Sequence, residues 1–534
     1  MAWHSSCITL AVCALCLPFA AGGCSLGAGD DSDDLPGSLA SLQLFEGPLA
    51  NLTPARQVTN YELASPSFCD YADSSFVMRL PAGTSIGFTP TGPFEFPVGT
   101  VLAQTLSYAD PARKNSRRIV ETRVLVRRAS EWIGLPYVWN DEQSDATLEI
   151  LGARIAVDRY LSEGTVRKQI HIVPNFNDCK RCHRIGDVMT PIAGGVRQLN
   201  RPLAGGSAER QLDRWQRDGV LRGLPRGEYT PRLSRWNDPS TGTLEQRARS
   251  YLESNCAHCH NPRGTARNSG LQLAAEIEEP GAFGVLKTPV AAGRGAGGLY
   301  FDILPGQPKL SIMLYRMSSL EGGIMMPEFG RTQVDEGGVA LVSEWIASML
   351  PMQQSSGSAG LVGVVTDVNP EEISTWAQEV IAQGDANRGA AVIQRQELNC
   401  LKCHSIAGKG ANVGPDLAQI GSQAKVEHIV ESILVPDRTI KEGFRAVTVQ
   451  TQDGFVITGI QVRDDGPAIV LRDPVRGDTR VVKTNIAERS EGGSLMPANL
   501  AAALKRGEFL DLVGYLVELN SSDGKAQAMQ TGSP

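Results

Sequence analysis

Helical periodicity organises the last third of the chain. Asn369-Pro370 has the form of a helix N-cap followed by a first-turn proline, and a second helical start follows at Asp385. A third helix is predicted close to the C-terminus. The apolar positions that carry this periodicity are Ile373, Trp376 and Val380 in the first helix, and Phe509, Leu512, Val513 and Leu516 in the last.

The middle of the chain repeats this arrangement. Thr243 and Gln246 form a possible capping box that opens a helix running through Tyr251 and Leu252 to Cys256. A closing helix is predicted from apolar residues at helical spacing, namely Leu341, Val342, Trp345, Ile346 and Met349. Both segments are therefore expected to be mainly helical.

Short strand-like segments separated by Gly and Pro turns fill residues 42–178 and predict a β-rich domain. The clearest are 76–80, 100–107, 119–127 and 148–157. A small β insertion is predicted in the last third, with strands at 444–451, 455–462, 468–472 and 479–483 around turns at 453–454 and 464–466. The expected fold class is multidomain, with a β-rich N-terminal domain followed by mainly α domains.

The N-terminus has the pattern of a signal peptide. Residues 8–21 are apolar but too short to span a bilayer comfortably, and small residues follow up to Cys24. The residues around Cys24 resemble a bacterial lipobox, which implies lipid anchoring through that cysteine; ordinary cleavage nearby is the alternative. The chain is therefore expected in the periplasm or at the cell surface.

The chain has 534 residues, which is too long for one ordinary core, and 42% hydrophobic and 20% charged residues are typical of a globular protein. Its net charge of -7, without a basic patch, argues against a nucleic-acid partner. The predicted divisions are a signal peptide (1–24), an acidic tether (25–41), the β-rich domain (42–178), a first motif region (179–240), two helical domains (241–352 and 371–522) joined by a linker (353–370), and a disordered tail (523–534).

Cysteine spacing gives the strongest chemical signal. Of eleven cysteines, four lie in the first 24 residues and Cys69 stands alone, where a buried free thiol is expected. The other six form three C-x-x-C-H motifs, the attachment pattern of c-type haem. The motifs are Cys179, Cys182 and His183; Cys256, Cys259 and His260; and Cys400, Cys403 and His404.

This spacing suits haem because two thiols about one turn apart can add to the two vinyl groups of one haem, and the adjacent histidine then binds the iron. Disulfides and zinc are the alternatives. A disulfide gives no reason for the following histidine, and zinc ribbons bring their cysteine pairs much closer together than these. Three covalent haems, with His183, His260 and His404 as iron ligands, are the prediction.

Two methionines are candidates for the sixth iron ligand. Met496 precedes Pro497 in a loop before the last helix, and Met326 precedes Pro327 before the closing helix of the middle domain. Met325 is the fallback for Met326. His258, inside the second motif, is expected to be solvent-facing or at a haem edge rather than to be a ligand.

The first motif lacks such a partner. No Met-Pro pair follows it before the second motif, and Met189 lies only six residues after His183. His171 from the β-rich domain could reach the first haem, and His428 is a remote alternative. This haem is therefore expected to be either histidine-ligated or open on one side.

Residues of about 43 to 350 resemble a family of bacterial di-haem c-type cytochromes in which a β-rich region precedes two C-x-x-C-H motifs. Residues of about 384 to 520 resemble the PVC-type haem-binding domain of planctomycetes. The matching stretches of the first are 61–63, 70–72, 96–100, 121–126, 198–200, 251–260, 305–306 and 326–327, and those of the second are 384–385, 400–404, 414–417, 433–436 and 496–497. Both resemblances imply haem and electron transfer, with cytochrome c-like helical domains.

Electron transfer from a periplasmic or surface dehydrogenase to an acceptor is the expected function, although neither partner can be named. A peroxidase-like haem enzyme that uses an open first haem is one alternative. Another makes residues 42–178 a module that docks to a partner or a polysaccharide. No catalytic residue outside the motifs is predicted.

Overall fold

The computed structural model describes residues 35–519, except 114, 162–163, 204–208, 226–230, 291–293, 351–361, 363–367, 396–397, 453–455, 475, 499 and 503. The predicted signal peptide with Cys24, the first part of the acidic tether, most of the linker, the turn at 453–454 and the C-terminal tail lie outside the described residues. Within them, the first half of the chain is rich in strands, most helices come later, and there are several separate sheets.

The first half is built on a six-stranded antiparallel sheet with the strand order β1-β2-β4-β5-β6-β7. Its central strands are largely buried, as expected for alternating sequences rich in Val, Leu and Thr. A separate hairpin pairs β8 with β9. The strands are β1 Val58–Tyr61, β2 Asp73–Arg79, β3 Ile86–Gly87, β4 Val101–Ala109, β5 Arg117–Arg127, β6 Trp132–Trp139, β7 Ala146–Leu148, β8 Ala153–Tyr160 and β9 Val166–Val173.

The segment with the first motif shares a hydrophobic core with this sheet. One hydrophobic cluster contains Met78 and Trp132 of the sheet together with Leu199 and Trp215 from the following segment. Strand β12 also pairs in parallel with β3. The elements here are α1 Phe176–His183, β10 Arg184–Ile185, β11 Val188–Met189, α2 Val196–Leu199, α3 Gln211–Arg217 and β12 Leu221–Arg222.

The middle region is helical, as predicted. The capping box at Thr243 and Gln246 is confirmed, because each side chain bonds the backbone N–H of the other residue. The core contains Leu252, Val342 and Trp345, and α4 packs against α7. The helices are α4 Leu244–Leu252, α5 Pro280–Phe283, α6 Ile312–Met317 and α7 Glu336–Ser348, and a π-helical turn at Glu253–Ala257 extends α4.

The last region combines helices with a five-stranded antiparallel sheet of order β18-β17-β16-β15-β19. Asn369 caps the first helix as predicted. Helix α13 packs against α8 and α9. The elements are α8 Pro370–Gln383, α9 Ala386–Val392, α10 Cys400–Cys403, β13 Ser405–Ile406, β14 Lys409–Gly410, α11 Ile420–Gln423, α12 Val426–Leu434, β15 Arg445–Thr451, β16 Val456–Asp464, β17 Ala468–Asp473, β18 Gly477–Val482, β19 Ile486–Ser494 and α13 Arg506–Glu518.

Two strand predictions differ from the structure. The strand predicted over 148–157 is confirmed only from Ala153, where β8 begins, because β7 ends at Leu148 and Gly152 turns the chain with a φ of 79°. A Cβ on Gly152 would also lie 2.8 Å from the carbonyl oxygen of Val173, so the turn suits glycine. Strand β19 was missed because its side chains are mostly exposed and polar, which removes the apolar alternation used to recognise strands.

Before the predicted end of the acidic tether at residue 41, the chain already packs on the sheet. Leu39 is buried and its backbone N–H donates to the carbonyl of Ala146, and Pro36 accepts a bond from the Tyr137 hydroxyl. No helix in the described part of the chain is both long and apolar enough to cross a bilayer.

Helices α9 and α13 cross at Gly389, where a Cβ would overlap the backbone oxygen of Asp511. We expect Gly389→Ala to destabilise the protein by about 1–3 kcal/mol, the usual cost of overpacking. Gly507 of α13 is the matched control, since a Cβ added there would have nothing within 4 Å. Gly507→Ala should be neutral or slightly stabilising. Thermal unfolding followed by circular dichroism distinguishes the two, and equal melting temperatures would contradict this account of the crossing.

Candidate functional site

The first motif lies on a short capped helix. Asn175 and Asp178 form a capping box at the start of α1, and the helix carries Cys179, Cys182 and His183 on its last turns. The helix packs against β6, where a Cβ on Gly134 would lie 2.8 Å from the Cβ of Cys179. The glycine therefore lets the motif approach the sheet closely.

The histidines of the first and third motifs are oriented by backbone carbonyls. Nδ1 of His183 lies 3.0 Å from the carbonyl oxygen of Thr190, and Nδ1 of His404 lies 2.8 Å from that of Pro415. A carbonyl oxygen only accepts, so Nδ1 carries the proton in both rings. Nε2 then keeps its lone pair, as a metal-binding imidazole requires.

His260 of the second motif reaches the same state through a hydroxyl. Its Nδ1 lies 3.0 Å from Oγ of Ser269. That hydroxyl donates its one proton to the carbonyl of Ala266 at 2.8 Å, so it can only accept from the imidazole. Nδ1 of His260 is therefore also protonated. No hydrogen bond within the described residues involves Nε2 of any of the three motif histidines.

Burial keeps these rings neutral and the thiols protonated. It lowers the pKa of His183 and of His260 to about 4, and it also lowers the pKa of His404. Burial raises the pKa of the six motif cysteines; the values are about 11 for Cys179 and Cys403 and about 12 for Cys182, Cys256 and Cys400, with Cys259 also raised.

The first and second motifs are neighbours. The backbone N–H of Gly186 donates to the carbonyl of Arg263 at 2.9 Å. After burial, the nearby thiol of Cys259 is the next cause that raises the pKa of Cys182. The guanidinium of Arg181, inside the first motif, stacks 3.5 Å from the ring centre of Phe329 in the middle region.

The third motif contacts the second through the loop that follows His260. Asn399 donates from Nδ2 to the carbonyl of Thr288, and Lys402 donates from Nζ to that of Asn268, both at 3.3 Å. Sγ of Cys403 lies 3.7 Å from the carbonyl oxygen of Val290. The structure therefore brings together three motifs that are far apart in the sequence.

A cavity of about 1110 Å³ adjoins the first two motifs. All six of their cysteine and histidine side chains line it, and its volume exceeds that of most ligand pockets. The β-rich region contributes Arg123 and Gly134 to the wall, and the C-terminal sheet contributes Val456 and Thr458. Four parts of the chain, namely the β-rich region, the first motif region, the middle region and the C-terminal region, therefore line one cavity.

The two methionines predicted as iron ligands, Met326 and Met496, lie in different surroundings. Met326 lines the cavity together with His260, whereas its fallback Met325 is not among the lining residues. Met496 is partly buried against the same C-terminal hydrophobic cluster as Cys400. Met326 thus shares a cavity with its predicted partner motif, and Met496 shares a hydrophobic cluster with one cysteine of its own.

A carboxylate from the β-rich region fixes the loop that follows Met326. Asp70 accepts hydrogen bonds from the backbone N–H groups of Thr332 and Gln333 at 2.8–3.0 Å. The carbonyl of Met326 accepts from Arg331 at 2.9 Å. The position of Met326 therefore depends on a residue more than 250 positions earlier in the chain.

His171 does not reach the first motif. Its Nε2 lies 2.8 Å from the carboxylate of Glu121 and its Nδ1 lies 3.1 Å from the hydroxyl of Tyr108, so both nitrogens are occupied. The suggestion that it could bind the first haem is wrong.

Two other residues were considered for the first haem. Met189 is buried in the hydrophobic core, and the side chain of His428 is 45% exposed on α12.

His258, expected to be solvent-facing or at a haem edge, is half-buried. It lines the cavity, and its Nδ1 is buried without a hydrogen-bond partner in the described part of the chain. Burial, and then the proximity of His183 and His260, lowers its pKa to about 4. This side chain belongs to the interior, between the first two motifs.

Sequence reasoning missed the polar side chains that join the regions around the cavity. Gln198 donates to the hydroxyl of Ser254 at 2.9 Å, and Asn255 accepts from the backbone N–H of Phe68 at 2.8 Å. Gln198 and Asn255, like Asp70, lie in stretches that carry the family resemblance. That resemblance was the available signal, because nothing in the spacing of single polar residues indicates such contacts.

No protein-family model matches the chain, and no curated protein matches it significantly in sequence. Among the residues that the structure describes, no three His, Cys, Asp or Glu side chains are arranged to hold a metal ion, and the described cysteines are unpaired. The zinc and disulfide alternatives gain no support from this arrangement.

The fully buried Glu121 bonds to both Arg123 and His171, and substitution of Glu121 measures how much this network contributes to stability. Burial alone would raise its pKa, but Arg123, which bonds both carboxylate oxygens, and His171 outweigh burial and lower it. This stabilisation is present above the usual carboxylate pKa and is lost as the pH falls through the lowered value. We expect Glu121→Ala to cost about 3–5 kcal/mol at pH 7, because Arg123 loses its partner.

Asp141→Ala is the matched control. Asp141 also pairs with an arginine, Arg118, but its side chain is 80% exposed. Such a surface pair contributes little. Urea unfolding at pH 7 and pH 4 measures both variants, and a Glu121→Ala midpoint close to that of the control would contradict the role given to the network.

Proposed function

We propose that this chain is a multihaem c-type cytochrome that carries three covalently attached haems and transfers electrons from a periplasmic or surface dehydrogenase to an acceptor. The observation that supports it best is the contact between three motifs remote in sequence, each with a histidine that presents a free Nε2. When bound, haem iron supplies reversible one-electron transfer.

The residues of each motif fit the group. Two protonated thiols stand about one turn apart, and the neighbouring imidazole is neutral and oriented by its Nδ1–H bond. At the third motif, a Cβ on Gly414 would lie 2.7 Å from Cε1 of His404, so only glycine lets the backbone lie this close to the ring. The donor set, two thioether-forming thiols and one imidazole nitrogen, is that of a c-type site.

The second and third motif regions are proposed to be cytochrome c-like domains. In each region one helix precedes the motif and another closes the segment, and the two pack together or through a neighbouring helix. In the last region, Gly389 allows α9 and α13 to cross with backbones nearly in contact. Such a crossing can hold a motif rigidly, which limits structural change when the charge on a bound iron changes.

Methionine ligation by Met326 and Met496 would give the second and third haems higher reduction potentials than the first. A thioether raises the reduction potential of haem iron relative to a second imidazole. A first haem without methionine would then have the lowest potential and could pass electrons to the other two. The contacts between the motifs support this order, because the second motif touches both of its neighbours.

The β-rich region has a role within this proposal. It supplies one wall of the cavity and fixes the loop after Met326 through Asp70. This local role accounts for the region without a separate docking function for a partner or a polysaccharide. If Cys24 is lipidated, the whole assembly would be held at a membrane surface.

The count of covalent haems tests the proposal directly. Expressed with a c-type haem maturation system, the mature chain should carry three haems, and the double substitution Cys400→Ser with Cys403→Ser should carry two. Cys69→Ala is the control and should keep three, since Cys69 is outside the motifs. A pyridine haemochrome assay per mole of denatured protein gives the number. A denatured chain without bound haem would refute the proposal.

The methionine ligands are tested by redox potentiometry. Met326→His and Met496→His should each lower the midpoint potential of one haem, because imidazole favours ferric iron more than a thioether does. Met325→Leu should leave all three potentials unchanged. Three equal midpoint potentials in the unmodified protein, or no shift in either histidine variant, would contradict the proposed order of reduction potentials.

A further inference from the structure

The seven histidines of the chain differ in how their ring nitrogens are engaged. His4 lies outside the described residues and His428 is on the surface. His171 uses both nitrogens, and the three motif histidines use Nδ1. His258 is the exception, because neither of its nitrogens forms a hydrogen bond with any described residue, and Nδ1 is fully enclosed.

The enclosed Nδ1 of His258 has lost its interactions with water and has no hydrogen bond in their place, which costs free energy. Its ring lines the cavity together with His183 and His260. A metal cannot reach the enclosed Nδ1, but Nε2 is not enclosed and keeps its lone pair when Nδ1 carries the proton. The position of this free Nε2 beside two proposed iron ligands points to iron binding.

Helical geometry determines whether His258 faces the proposed haem of the first motif or that of the second. The second motif is wound as a helical turn, because the N–H groups of Cys259 and His260 both donate to the carbonyl of Cys256. Residues three or four apart share a helix face, whereas residues two apart do not. Cys256, Cys259 and His260 therefore face one side, and His258, two positions from Cys256 and from His260, faces away from it.

The side that His258 faces is occupied by the first motif. Gly186 bonds to Arg263 just after the second motif, Arg181 stacks on Phe329, and His258 lines the same cavity as His183. The other candidates for the first haem are engaged elsewhere. Both nitrogens of His171 are bonded, and Met189 packs beside Cys179 against Gly134, in the hairpin that directly follows His183.

We propose that His258 is the second axial ligand of the first haem, on the face opposite His183. This inference rests on the proposed function, because it presupposes a haem at the first motif. It makes that haem six-coordinate with two imidazoles, which leaves no open iron for a peroxidase-like reaction. It also places the ligand of one haem inside the attachment motif of the next, so that a single peptide segment joins the two.

Spectroscopy of the unmodified holoprotein gives the first test. Low-temperature EPR and near-infrared magnetic circular dichroism distinguish His/His from His/Met ligation. We expect three low-spin haems, of which one is His/His. A high-spin first haem, or spectra without a His/His component, would overturn the inference while leaving three covalent haems, and therefore the proposed function, intact. A protein without covalent haem would instead refute the proposed function itself.

Variants at His258 give the second test. In His258→Ala, one of the three haems should become high-spin, and added imidazole should return it to the low-spin state. In His258→Met, all three should stay low-spin, and one midpoint potential should rise. His428→Ala, which removes an exposed imidazole, is the control and should resemble the unmodified protein. Three low-spin haems in His258→Ala without imidazole would overturn the assignment.

Discussion

The side chains around the first two motifs depend on polar bonds between segments that are distant in the sequence, because such bonds fix both distance and direction. Here those side chains come from four parts of the chain. Buried polar bonds hold them in place, notably those of Asp70, Gln198 and Asn255, which join the β-rich region and the first motif segment to the middle region. These directional contacts fix distances that apolar packing alone would leave adjustable.

Directional hydrogen bonds also fix the orientation of single side chains. An imidazole that is merely buried could rotate or change tautomer, but Thr190, Ser269 and Pro415 each accept the Nδ1 proton of one motif histidine. Two of these oxygens belong to the backbone and the third to a hydroxyl whose own proton is already donated. The orientation of each ring is therefore set by the loop that follows its motif.

The sequence predicted what local patterns can encode. Helix caps at Thr243 and Asn369, the main strands and the repeated C-x-x-C-H spacing all depend on residues within a few positions of each other. The polar β19 carried no such pattern, and the turn at Gly152 interrupted one. The environments of His171 and His258 depend on segments distant in sequence, so a motif alone could not assign their partners.

The bonds between Asp70 and the loop at Thr332 have a consequence for how the molecule is made. They join positions 262 residues apart, so they can form only after the whole segment between Asp70 and Thr332 has been made and has begun to fold. The cysteines of the first two motifs line the space that this contact helps to close. If haems are attached to those thiols, as proposed, attachment before this loop closes would meet less obstruction, and late closure of the loop provides the time for it.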